Sequence, residues 1–245
     1  LAGCAGGGSD EPSKAPGGDT SAIITTNGTE PENPLVPTNT NEVGGGTIVD
    51  NLFAGLGFYD ADGKFVNDMA DEITIDDPSN LTVKLKTGQT FTDGSEVTAE
   101  SFTKAWNYGA QLSNAQLNQS WFADIEGYSD SADSELTGLK VVDDHTFTIA
   151  LTSPVAADFM TRLGYTAYSP LPEVAFEDMA AFGENPIGNG PYKLAGDGAW
   201  QHDVQIELVK NEDYQGGREV VNGGLTIVFY ATADAAYADL LSNNV

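Results

Sequence analysis

Leu81-Thr82-Val83-Lys84-Leu85-Lys86-Thr87-Gly88-Gln89-Thr90-Phe91-Thr92-Asp93-Gly94 is the stretch from which the organisation of this chain can be read. Its first six residues alternate strictly, so Leu81, Val83 and Leu85 share one face of a strand and the polar residues share the other. Gln89 to Gly94 then turns the chain. Thr98 follows as a helix N-cap, with Glu100 placed against the positive end of the helix. Phe102, Ala105, Trp106 and Gly109 recur at helical spacing, and Trp106 is expected in the core.

Working outward, Phe58-Tyr59-Asp60-Ala61-Asp62-Gly63-Lys64-Phe65 reads as a hairpin with Asp-Gly at its turn. Asp60-Ala61-Asp62-Gly63 superficially suggests a calcium loop. The EF-hand template needs a third acidic residue before the Gly and a closing Glu, and the turn is the better reading. Glu42 to Leu56 is helical in parts, with Gly44-Gly45-Gly46 expected as a break or a cap. Ala22 to Thr26 is a β-branched run, and Asn27-Gly28-Thr29-Glu30-Pro31 has turn chemistry. Downstream, Val141-Val142, a turn at Asp143-Asp144-His145 and Phe147 to Leu151 form a second hairpin. Val204, Ile206 and Leu208 alternate, as do Leu225, Ile227 and Phe229. Asp234 to Leu241 reads as a closing helix with a stripe of Ala236, Tyr237, Leu240 and Leu241. Strands and helices mix without strict βαβ alternation, so the class is α/β or α+β with a mixed sheet.

The 245 residues hold 37 Asp+Glu against 10 Lys+Arg, a formal charge of −27. Phosphate recognition needs clustered cations, so nucleic acid is excluded as a partner. Forty per cent hydrophobic residues and 9% aromatic residues are the composition of a globular chain rather than a disordered one. With one Cys and two His, neither a disulfide framework nor a cysteine-cluster metal site can form, and no structural or catalytic metal and no cofactor is expected. No nucleophile elbow, zinc-binding helix, phosphate loop or dinucleotide fingerprint occurs. His145 and His202 both read as solvated surface residues. Trp121-Phe122 and Trp200 fit either a core or a ligand platform. An enzyme is not expected, and no catalytic residue is named.

Cys4 follows Leu1-Ala2-Gly3, the small-residue pattern of a bacterial lipobox, in which the Cys carries the lipid. The Gly-, Ser- and Pro-rich run from Ala5 to Asp19 then reads as a flexible tether, with a mean reach of roughly 23 Å. Residues 1–20 are accordingly read as lipobox and tether, and Cys4 as the lipidation site.

Several segments together resemble the solute-binding proteins of peptide-importing ABC transporters, the oligopeptide- and dipeptide-binding lipoproteins of extracellular solute-binding family 5. The opening segment Asn27 to Leu35 is similar to the start of that mature fold. Asn51-Leu52-Phe53-Ala54-Gly55-Leu56 and Leu81 to Gly94 are similar to two of its signature segments, as is Val97-Thr98-Ala99-Glu100-Ser101-Phe102 with Ala105-Trp106. Ser169-Pro170-Leu171-Pro172, Pro186-Ile187-Gly188-Asn189-Gly190-Pro191-Tyr192 and Lys210-Asn211-Glu212-Asp213-Tyr214 follow in family order. Thr87 departs from the pattern, which usually has an acidic residue there. The resemblance spans about residues 21–245.

The resemblance implies a type II periplasmic-binding-protein-like fold: a mixed-sheet lobe from residues 21–43 and 172–245, with an inserted subdomain at 44–171. The family chain is usually about twice this length, so the second lobe is expected to be missing here. The implied protein captures oligopeptides in a cleft between lobes and delivers them to the ABC permease subunits. It would act as a monomer, lipid-anchored at the extracellular face of the bacterial cytoplasmic membrane or in the periplasm. A sugar- or nickel-complex binder of the same fold, or a surface lipoprotein with an adhesin or chaperone role, are the alternatives. Such a clamp needs no nucleophile, because an extended ligand is held by strand addition. Asn27, Gly28, Thr29, Glu30 and Pro31 are the first candidates for the cleft, with Glu30 favouring cationic peptides if it faces the ligand. Asn189 and Gly190 are the second, since Gly permits close backbone approach.

Overall fold

The computed structural model describes residues 19–242, so Cys4 and nearly all of the expected tether lie outside the described residues. In chain order the elements are β1 (Ile23–Gly28), α1 (Val43–Leu52), β2 (Gly57–Tyr59), β3 (Phe65–Asn67), β4 (Ala70–Asp77) and β5 (Asn80–Leu85). Next come α2 (Ala99–Ala110), β6 (Leu139–Asp143), β7 (Thr146–Ala150), α3 (Ala156–Arg162) and α4 (Met179–Glu184). The chain closes with β8 (Tyr192–Leu194), β9 (Trp200–Gln201), β10 (Gln205–Lys210), β11 (Gly224–Phe229) and α5 (Ala233–Leu241). No described helix is long and apolar enough to cross a membrane.

The alternating stretch from Leu81 becomes β5, at the interior of an antiparallel sheet ordered β4-β5-β7-β6. Leu81 stands opposite Ile149 and Val83 opposite Phe147. All four of these side chains are fully buried, which is what a period-2 pattern with one apolar face requires. On the outer face Lys84 reaches Glu72 at 3.1 Å, with both side chains exposed, a pair that contributes little. Thr98 caps α2 as expected: its N–H donates to Ser101 Oγ at 3.1 Å. Phe102 and Trp106 project from α2 into an aromatic cluster with Phe122, Phe147 and Tyr168. Trp106 and Tyr168 meet edge-on at 5.2 Å, and the indole N–H donates to the Tyr168 carbonyl at 3.0 Å. Each such ring taken from water stabilises the fold by about 1.5–3 kcal/mol. Phe122 is fully buried there, while Trp121 is half-buried and stacks on Tyr165 at 4.1 Å.

The second sheet is mixed. β1 runs parallel to β11, β10 is antiparallel to β11, and β8 and β9 both pair antiparallel with β10. Two sequence expectations are corrected by it. Asn27 and Gly28 belong to β1, opposite Val228 and Phe229, rather than to a turn. Gly44-Gly45-Gly46 does not break the helix: it forms the first turn of α1. The Glu42 side chain caps that turn, accepting the Gly45 N–H at 2.8 and 2.9 Å. The small residues serve closeness, because a Cβ on Gly44 would come within 2.3 Å of Thr29 Oγ1.

Candidate functional site

Parallel strands end side by side, and in open α/β sheets ligands sit outside the carboxyl ends of the strands. Here β1 and β11 end together at Gly28 and Phe229, and the Tyr230 N–H donates to the Gly28 carbonyl at 3.0 Å. Gly28 allows this approach, since a Cβ there would lie 2.5 Å from Ile227 Cγ2. Beyond the strand ends lies a cavity of about 380 Å³. Asn27, Gly28 and Thr29 form one border, Val43, Gly44 and Thr47 of α1 a second, and Tyr230 to Ala233 at the start of α5 a third. The first turns of both helices thus face the same space, and N-terminal turns carry backbone N–H groups without helical partners. Thr232 caps α5, accepting the Ala235 N–H at 3.3 Å. A neighbouring hollow of about 300 Å³ continues along β1 past Thr25 to Tyr237 and Leu240 of α5.

The remaining expected site residues are placed differently. Pro31 is buried, and Glu30 is half-buried with its carboxylate already engaged. It accepts from Trp200 Nε1 at 3.2 Å and from the Asp203 N–H at 3.0 Å, and it contacts His202 Nδ1 at 2.8 Å. Asn189 is buried, and its amide pairs both ways with the Ala54 backbone, at 2.9 and 3.0 Å. The Gly190 N–H donates to the Leu52 carbonyl at 2.9 Å, and a Cβ on Gly190 would lie 2.6 Å from the backbone of residues 51–53. Neither Asn189 nor Gly190 borders the cavity. They join the end of α1 to the start of β8.

The same helix end is tied down once more. Arg218 donates to the carbonyls of Asp50 and Phe53, the favourable place for a cation at a helix C-terminus, and its Nε reaches Asp68 Oδ2 at 3.1 Å. Asp68 also accepts from Tyr214 Oη at 2.6 Å and from the Gly217 N–H at 2.9 Å. Burial, followed by the nearby Asp68 charge, pushes the Tyr214 hydroxyl up to about 12.

His202 is exposed, as expected of it, with 54% of its side chain accessible, yet its ring has partners beyond Glu30. Its second ring nitrogen meets Glu184 at 2.9 Å, and its ring lies 4.2 Å from that of Trp200. The hydrogen bond to Glu30, helped by that to Glu184, raises its pKa above the ordinary imidazole value against the effect of burial. Sequence reading also passed over Val43, Thr47 and the Tyr230–Ala233 junction. Thr232 preceding an Ala-rich run was the one available signal, as an N-cap.

The family model described as Bacterial extracellular solute-binding proteins, family 5 Middle, matches residues 64–245, about three quarters of the chain. The oligopeptide-binding protein OppA of Bacillus subtilis is 29% identical over 194 residues, covering 74% of this chain and 34% of its own length. The periplasmic oligopeptide-binding protein OppA of Salmonella typhimurium is 28% identical over 238 residues, covering 91% of this chain and 42% of its own. The solved structure of Haemophilus influenzae OppA in complex with RPPGFSPFR matches with a TM-score of 0.80 at 25% identity, over 93% of this chain and 45% of that one. The chain therefore spans less than half the length of these relatives and has their mixed α/β, type II periplasmic-binding fold. With a family model over most of its length and that fold, the chain belongs to the bacterial extracellular solute-binding proteins of family 5.

Proposed function

We propose that this chain supplies one wall of an oligopeptide-binding cleft in the substrate-capturing component of an ABC importer. The observation that carries the reading is the cavity at the carboxyl ends of β1 and β11, bordered by Asn27, Gly28 and Thr29. β1 lies at the end of its sheet order with its residues largely exposed, so an extended peptide can pair with its backbone as an added strand. Affinity then comes from main-chain hydrogen bonds, and the peptide's side chains meet forgiving, hydrated surroundings. Glu30 acts in this scheme by holding the end of that wall, because its oxygens already accept from the 200–203 turn. The protein works as a monomer with membrane permease subunits, anchored through a lipid on Cys4 outside the cytoplasmic membrane. Residues 44–171 form the inserted subdomain, and 21–43 with 172–245 the lobe that bears the cleft.

Mass spectrometry of ligand released from natively purified full-length protein, followed by calorimetry with a mixed-sequence peptide set, tests the reading. Peptides are expected in the extract, with affinity falling for Gly28→Val, whose side chain would collide with Ile227 at the strand end. A sugar or metal complex in the extract, with no peptide binding, would overturn it.

A further inference from the structure

His202 stands between two carboxylates from distant parts of the chain. Nδ1 lies 2.8 Å from Glu30 Oε1, and Nε2 lies 2.9 Å from Glu184 Oε2. A neutral imidazole carries one N–H, so one of these contacts would then set a nitrogen lone pair against a carboxylate oxygen. Only the imidazolium donates to both. The three groups come from three places: Glu30 from the segment after β1, Glu184 from the last residue of α4, and His202 from the turn between β9 and β10. Those two carboxylates are the charged groups that face the ring, and Trp200 of β9 packs against it. Glu30 also accepts from Trp200 and from the Asp203 N–H, so it stays bound to the turn when the imidazole is neutral. The neutral ring keeps a single N–H that either carboxylate can take, so the two-sided bridge from Glu184 to Glu30 is made only by the protonated ring.

We infer that His202 is a protonation-dependent clasp, fastening α4 to the β9–β10 turn and, through Glu30, to the segment that borders the cavity. The direction follows from linkage: because the folded-state pKa is raised, the clasp is fully made below the unfolded imidazole value of about 6.5. It is lost as pH rises through the higher folded value. A functional consequence rests on the reading of Asn27 to Thr29 as a ligand wall: peptide affinity weakens as the clasp opens.

Nuclear magnetic resonance on the full-length protein reads the clasp directly, with the His202 ring identified by its loss in His202→Gln. The expected result is a titration midpoint above that of free imidazole, shifting down in Glu184→Gln, where the exposed partner loses only its charge. An ordinary midpoint that Glu184→Gln leaves in place would overturn the clasp. Calorimetry with a peptide at about pH 6 and about pH 9 reads the coupling separately. Weaker binding at the higher pH, attenuated in Glu184→Gln, supports it. Binding that ignores pH overturns the coupling and leaves the clasp standing. No peptide binding at either pH overturns the ligand-wall reading instead.

Discussion

Asp68 is fully buried, and three donors converge on it from the segment after β10. Arg218, its partner, is itself only 16% exposed and is committed to two carbonyls at the end of α1. A buried pair of this kind is weak grounds for net stability, yet removing one member strands the other charge away from water. Asp68→Ala is therefore expected to destabilise the protein by about 3–5 kcal/mol, read as a lower urea midpoint at unchanged slope. Tyr214→Phe removes two hydrogen bonds, the one it donates to Asp68 and the one it accepts from the Arg218 N–H at 3.1 Å, and leaves the charges paired, so its cost should be about 1–3 kcal/mol. Equal, small effects for both would mean that water reaches Arg218 when Asp68 is absent.

At the scale of elements, the first turn of α1 offers a paired test of why three glycines stand in a row. A Cβ on Gly46 meets nothing within 4 Å, so Gly46→Ala should stabilise the helix by about 0.5–1 kcal/mol. A Cβ on Gly44 would lie 2.6 Å from the Thr29 carbonyl oxygen as well as 2.3 Å from its hydroxyl, and backbone cannot give way cheaply. Gly44→Ala should destabilise the protein and, on the proposed function, weaken peptide binding by displacing the wall at Thr29. Thermal denaturation of the two variants checks the opposite signs; stabilisation by both would show that α1 and β1 need not approach so closely.

For the whole molecule two terms matter, charge and closure. A formal charge of −27 repels itself most when the chain is compact, and salt screens that repulsion over a Debye length of about 10 Å at 0.1 M. The melting temperature is expected to rise from low salt to roughly physiological ionic strength; a fall would mean that ion pairs such as Arg162 with Asp124 outweigh the net field. On the proposed function, closure concerns the ligand. A peptide held against one wall stays half solvated, and its hydrogen bonds gain little over those to water. Residues 1–245 alone should bind peptides in the millimolar range, on the order of −4 kcal/mol, or not at all, with the full-length protein orders of magnitude tighter. Micromolar binding by residues 1–245 in calorimetry would show that a single wall suffices.

What the sequence by itself determined is what repeats over a few residues. Leu81, Val83 and Leu85 alternate because one face of β5 is buried, and Phe102 and Trp106 are spaced for the buried face of α2. Thr98 and Asp60 announce a helix start and a turn through hydrogen bonds to their own neighbours, and the order of the family-like segments carried the fold class. Of the cleft candidates, Asn27, Gly28 and Thr29 border the cavity, whereas Asn189 spends its amide on Ala54. Only the tertiary structure decided which distant segments meet. Ile23 pairs in parallel with Gly224, Asp68 is bound to Arg218, and His202 reaches Glu30 across 172 positions. Local periodicity reports which face of an element is apolar. The partner it meets depends on the cost of closing long loops against the burial and hydrogen bonds gained once they close, and those terms exist only when the whole chain is folded.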